Sequence, residues 1–137
     1  MNRVLIVEDD PLDMESIYMV LSGKFILDTA IDLYTAISKL KSNPPDAVLL
    51  DPGLPDSQGF QHSIDEMKKH RANTNTAIVV VSHDDDPVRM KAGIAGNADG
   101  WVTKGVTMPQ DLLFHLQRSI AMRRKCRNVE EGTPKSL

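Results

Sequence analysis

The stretch VLLDPGLPDSQG, Val48 to Gly59, is an apolar run that stops abruptly on a carboxylate at Asp51. β-favouring apolar residues seldom end on an acid unless the strand tip is wanted for chemistry. In open α/β sheets, ligands bind outside the carboxyl ends of the strands. A second such run, VLIV (Val4 to Val7), ends the same way on Glu8, Asp9 and Asp10. If these strands are parallel neighbours, the carboxylates of Glu8, Asp9, Asp10 and Asp51 converge at one edge of the sheet. Like charges gathered so closely call for a cation among them.

Outward from these two runs the chain alternates β-rich and helix-like segments. Strands are expected at about 3–8, 25–30, 46–51, 77–82 and 99–103. The runs 47–51 and 77–82 are apolar almost throughout, as central strands covered on both faces must be. The first helix is expected from Pro11 to Ser22, with Asp10 as N-cap, Gly23 at its end, and Leu12, Ile17, Val20 and Leu21 inward. Leu33, Ile37 and Leu40 mark a second, stopped by Asn43-Pro44-Pro45. Phe60, Ile64 and Met67 mark a third after Gly59. The segment 86–98 is a weaker helix, because Gly93 and Gly96 each cost about 1 kcal/mol relative to Ala. A last helix is expected from about Pro109 to Arg124, with Leu112, Leu113, Leu116 and Ile120 inward. Regular βα order implies a parallel sheet with helices on both faces and right-handed crossovers.

A chain of 137 residues is long enough for one domain with a full hydrophobic core. Its net charge of −3 gives no reason to expect direct nucleic-acid or membrane binding. No apolar run approaches the roughly 20 residues that span a bilayer, and Met1-Asn2-Arg3 leading straight into a strand is unlike a signal peptide. The single cysteine, Cys126, excludes an internal disulfide and suits a reducing cytoplasm, the expected location. Without a Cys/His cluster no zinc site is expected. The tail from Arg127 is polar, holds Gly and Pro, and is expected to be disordered over 127–137.

Four separated motifs, VLIVEDD at 4–10, LLDPGLPDSQG at 49–59, VVVS at 79–82 and ADGWVTK at 98–104, stand within this fivefold βα order. In that arrangement the chain resembles the receiver domain of two-component response regulators, over roughly residues 2–122. The resemblance implies a flavodoxin-like α/β fold: a doubly wound, five-stranded parallel sheet in the order 2-1-3-4-5 with five helices. One receiver domain is expected over 1–126.

In that family Asp51 would be the phosphoacceptor. A carboxylate is a fair nucleophile, and the acyl phosphate it forms hydrolyses readily, which makes a reversible switch. The resemblance makes Asp9 a direct ligand of Mg²⁺ (or Mn²⁺) together with Asp51. Glu8 would act through water, and the backbone carbonyl of Gly53 would complete the shell. Lys104, 53 residues after Asp51, would pair with the acceptor and then with phosphoryl oxygens. Ser82 would donate its hydroxyl to a phosphoryl oxygen. Phosphoryl transfer asks the protein mainly for positioning and charge stabilisation, and these groups supply both. Trp101 stands where the family usually has Tyr or Phe. It would turn as Ser82 moves and remodel the face made by segment 86–98, the strand at 99–103 and the last helix. The bulk of Trp argues against a fully inward rotamer.

Three neighbours depart from the family pattern. Pro52 stiffens the loop after the acceptor and removes an N–H. His83 stands where a small residue is common, and would restrict phosphoryl access or slow hydrolysis. Gly105 replaces a frequent proline, so a trans Lys104–Gly105 bond is expected, a cis one costing about 2.5–4 kcal/mol.

Taken singly, the residues have plainer readings. Asp51 could be a turn residue, the acidic cluster a solvated loop, Lys104 ordinary surface, Ser82 a helix cap and Trp101 a half-buried packing residue. Other classes fit less well. A haloacid-dehalogenase-type phosphatase usually carries a second Asp two residues after its nucleophile, where this chain has Gly53. A flavodoxin-like FMN binder needs a phosphate-cradling loop where Glu8-Asp9-Asp10 would repel the phosphate. A degenerate, phosphorylation-independent module would not need the full reacting set. The expected partners are a sensor histidine kinase or histidine phosphotransfer domain and a downstream effector, with a homodimer possible. No turnover enzyme is expected. No effector domain follows the last helix, so the chain reads as a stand-alone receiver or as a receiver excised from a hybrid kinase or cyclic-dinucleotide signalling protein.

Overall fold

A computed structural model describes residues 1–71, 74–83, 98–105 and 108–132, with side chains as far as Lys125. Five parallel strands form one sheet in the order β2-β1-β3-β4-β5: β1 Arg3–Val7, β2 Ile26–Ala30, β3 Ala47–Leu50, β4 Ala77–Ser82 and β5 Gly100–Thr103. The helices among the described residues are α1 Pro11–Leu21, α2 Leu33–Ser42, α3 Phe60–Arg71 and α4 Met108–Gly132. Of the helix expected over 86–98, residues 86–97 lie outside the described residues. Strand positions agree with expectation to within a residue or two.

Alternation along the strands explains why they read as apolar throughout. Leu5 and Val7 of β1, with Val48 and Leu50 of β3, face α2 and α3 and pack with Leu40, Ile64 and Met67. Val4 and Ile6, with Leu49, Val79 and Val81, face α1 and α4 and pack with Ile17, Leu21, Leu112 and Leu116. Each fully buried Leu or Ile on these faces contributes about 1.5–3 kcal/mol.

Asp10 caps α1 as expected, its Oδ1 accepting from Leu12 N at 2.9 Å and Asp13 N at 3.4 Å. Gly23 follows with φ +82°, a left-handed turn that suits glycine. Leu12, however, is 75% exposed. Five residues at about 100° each carry it some 140° from Ile17, so it leaves the inward stripe. The last helix overshoots its expected end at Arg124 and runs to Gly132. From Gln110 to Glu131 no Gly or Pro interrupts it, and Arg, Lys and Glu propagate helices well despite their polarity. Residues 127–132 of the tail expected to be disordered are therefore helical, and residues 133–137 lie outside the described residues.

The sheet order doubles back at β1, whose neighbours are β2 and β3. The crevice beyond the carboxyl ends of β1 and β3 is the topological switch point of such a sheet. Glu8 N to Ala30 O (3.0 Å), Asp51 N to Val7 O (2.9 Å) and Lys104 N to Ser82 O (2.8 Å) carry the ladder past the strand ends. Those bonds fix the functional residues at one rim.

Candidate functional site

Glu8, Asp9 and Asp51 gather at this rim, each offering a carboxylate oxygen within 4.8 Å of the others. Lys104 enters from the tip of β5 and donates to all sides: Glu8 Oε2 at 2.7 Å, Asp13 Oδ2 at 2.8 Å and Asp51 Oδ2 at 2.9 Å. Two of the other oxygens are held by backbone. Asp51 Oδ1 accepts from Gly53 N at 2.9 Å, and Glu8 Oε1 from Asp10 N at 3.0 Å. The Asp51–Gly53 bond closes a tight turn around Pro52, which has no N–H of its own to offer. Ser63 Oγ of α3 donates to Pro52 O at 2.8 Å and anchors that turn from below.

Set on this geometry, the comparison with known proteins is decisive. The response regulator receiver domain family matches residues 4–117. The chain belongs to that family.

Among curated relatives, this receiver is 36% identical over 104 residues to the DNA-binding response regulator MtrA of Mycolicibacterium smegmatis, covering 74% of this chain and 43% of that protein. It is 29% identical over 114 residues to the uncharacterized transcriptional regulatory protein YxjL of Bacillus subtilis, covering 81% of this chain and 50% of that one. The chain thus spans about half the length of the curated relatives it matches. The fold is shared with a CheY-like receiver domain protein from Methanospirillum hungatei, at a TM-score of 0.77 and 21% identity over 91% of this chain and 98% of that one. A response regulator structure from Chloroflexus aurantiacus gives 0.78 at 24% identity, covering 88% and 98%.

The receiver's donor set consists of carboxylate oxygens, which suits a hard divalent cation such as Mg²⁺ or Mn²⁺. The charges are already partly balanced by Lys104, whose side chain is only 4% exposed. Burial works against its positive charge, but hydrogen bonds to Asp13, Glu8 and Asp51 outweigh it and hold the ammonium firmly protonated. Glu8 goes the other way: burial, then hydrogen bonding to Asp51, pushes its carboxyl up to about 7 against the pull of Lys104 and the Asp10 N–H. Burial also acts to raise Asp51. Hydrogen bonds from Glu8, the Gly53 N–H and Lys104 overcome it, and Asp51 sits below the ordinary carboxylate range. The two neighbouring carboxyls are thus driven apart, Asp51 below and Glu8 above the ordinary range.

The structure brings Glu8, Asp9, Asp51 and Lys104 together. It puts Ser82 at the tip of β4, opposite Thr103 in register. Gly53 is exposed, its N–H turned onto Asp51, and the Lys104–Gly105 bond is trans. Trp101 differs from expectation. It is 5% exposed and packed on the α2/α3 face, its ring centroid 5.2 Å from that of Phe60. Trp101 is the second residue of β5, and strand alternation turns it onto the same face as Val48, Leu50 and Ile64. Its Nε1 is buried with no hydrogen-bond partner among the described residues.

Three contributors escaped the sequence reading. Asp13 contacts both Lys104 and, at 3.0 Å, His83 Nε2. Its place one turn into α1 after the acidic cap was the available signal. Asp56 accepts from Leu33 N at 2.7 Å and Tyr34 N at 2.9 Å, so it ties the loop after Asp51 to the start of α2. That contact spans 23 residues of sequence, and local pattern carries no trace of it. Ser63, polar yet fully buried in α3, is the third.

Proposed function

We propose that Asp51 accepts a phosphoryl group from a phosphohistidine of a sensor kinase or histidine phosphotransfer domain. An Asp51 oxygen attacks phosphorus, the O–P bond forms as the N–P bond breaks, and the imidazole leaves with the electron pair. The observation that carries this reading is Lys104 Nζ at 2.9 Å from Asp51 Oδ2, within a carboxylate set able to hold a cation. Asp9 and Asp51 would hold Mg²⁺ or Mn²⁺ directly, with Glu8 through water and the Gly53 carbonyl. When bound, the cation offsets negative charge on the transferring group. Lys104 and the Ser82 hydroxyl take the phosphoryl oxygens, and movement of Ser82 is read by Trp101 at the face around β5. The reaction is a self-modification rather than turnover of a substrate. The receiver domain proper covers 1–126, works in the cytoplasm, and passes its state to an effector on this or another chain or to a second copy.

Incubation with acetyl phosphate and Mg²⁺ should give one acid-labile phosphate per native chain and none on Asp51→Asn. Steady release of inorganic phosphate from small phosphate esters would instead support the dehalogenase-type alternative.

A further inference from the structure

Asp13 holds none of the roles assigned above, yet it touches the site twice. From the first turn of α1 its Oδ2 lies 2.8 Å from Lys104 Nζ and 3.0 Å from His83 Nε2. Lys104 therefore meets Glu8, Asp13 and Asp51 at 2.7, 2.8 and 2.9 Å, one carboxylate for each N–H donor of an ammonium. Two of these partners change when a phosphoryl group arrives. Asp51 becomes the acyl part of a mixed anhydride, and the Lys104 N–H that it accepted turns to a phosphoryl oxygen. Glu8 belongs to the carboxylate set that can hold the cation. Asp13 does neither, and keeps both its charge and its bond.

A lysine stem has four rotatable carbons, and its freedom is lost only if something fixes the ammonium. His83, 72% exposed on its side chain, adds a second tether from the residue next to Ser82. Resting on the phosphoacceptor reading, we propose that Asp13 is a positioning residue for phosphoryl transfer. It holds the Lys104 ammonium beside Asp51 throughout the reaction and, through His83, links that hold to the tip of β4.

Asp13→Asn keeps the side-chain shape and removes the charge. With acetyl phosphate at saturating Mg²⁺, phosphorylation of Asp51 should slow about tenfold while Mg²⁺ affinity, measured by calorimetry, stays within about twofold. In ¹H–¹⁵N spectra the Lys104 ammonium, identified by its loss in Lys104→Met, should be visible in the native chain and broaden away in Asp13→Asn. Asp13→Glu restores the charge and should recover both signals in part. A purely helix-stabilising role for Asp13 would lower the melting temperature without touching the Lys104 signal, and that result overturns the proposal. So does unchanged or faster phosphorylation, or a loss of rate matched by equal loss of Mg²⁺ affinity. A native chain that takes no phosphate removes the phosphoacceptor reading and this proposal together. Phosphorylation lost in Asp51→Asn but indifferent to Asp13 removes this proposal alone.

Discussion

Lys104 Nζ lies 2.9 Å from Asp51 Oδ2 although β5 and β3 are not neighbours, since β4 runs between them. Two inter-strand spacings amount to about 9.6 Å. Only a long side chain can cross that width and still present a charge. The contact closes the rim over the end of β4 and makes one residue the counter-charge for Glu8, Asp13 and Asp51.

Replacing that residue tests the balance. Lys104→Met keeps the stem but strands the carboxylates. With chelator present the chain should lose about 2 kcal/mol of stability, less than for a wholly buried pair because Asp13 and Asp51 are partly exposed. Added Mg²⁺ should raise the melting temperature of Lys104→Met more than that of the native chain. Equal gains would mean that lysine and cation do not share the same charges.

Glu8 gives the site a pH dependence with a definite sign. Its folded-state value of about 7 lies above the ordinary 4.5, so it contributes stability that is complete below 4.5 and lost as pH rises through 7. Asp51 and Asp13, both lowered, act oppositely and lose their contribution only in acid. In chelator, the stability difference between native and Glu8→Gln should therefore shrink from pH 4.5 to 8. The affinity for Mg²⁺ should weaken below pH 7, as a proton competes for Glu8. A flat difference curve would contradict both.

Trp101 is the only tryptophan, so its emission reports one place. Packed against Phe60, it should emit as a dry indole and shift to longer wavelength in Phe60→Ala. Beryllofluoride with Mg²⁺ should change the emission of the native chain. The same addition should leave Asp51→Asn unaltered. A response that survives in Asp51→Asn would uncouple the indole from the acceptor.

At the opposite end of the sheet Arg71 pairs with Asp99, which also accepts from Ile78 N at 2.7 Å. Arg71→Met should cost about 2–3 kcal/mol in urea unfolding, because it leaves Asp99 half-desolvated without its cation. A loss under about 0.5 kcal/mol, the usual range of surface changes, would show the pair to be incidental.

The fold was legible because period-2 and period-3.6 patterns were uninterrupted: apolar runs ended on acids, and Asn43-Pro44-Pro45 stopped a helix outright. The gathering of Glu8, Asp9, Asp51 and Lys104 at one rim was legible because each sits at or just past a strand end. Leu12 misled because it is apolar yet out of phase with Ile17. Trp101 misled because its volume was weighed without the cavity that receives it. Asp13 and Asp56 act across 91 and 23 residues, and distance in sequence erases such pairings from any local pattern. Arg124 misled because polarity was read as an end, though charged residues extend helices readily.

The Arg71–Asp99 pair also sets how β5 is anchored. It clamps the start of β5 to α3 and to β4, while Lys104 works at the far end of the same strand. Between Asp99 and Lys104 lie five residue steps, a span of about 16 Å at 3.3 Å per step. The strand is thus held by ionic contacts at both ends, Asp99 to Arg71 at one and Lys104 to the carboxylates at the other. Of the side chains between them, Trp101 lies two residue steps from Asp99 and three from Lys104.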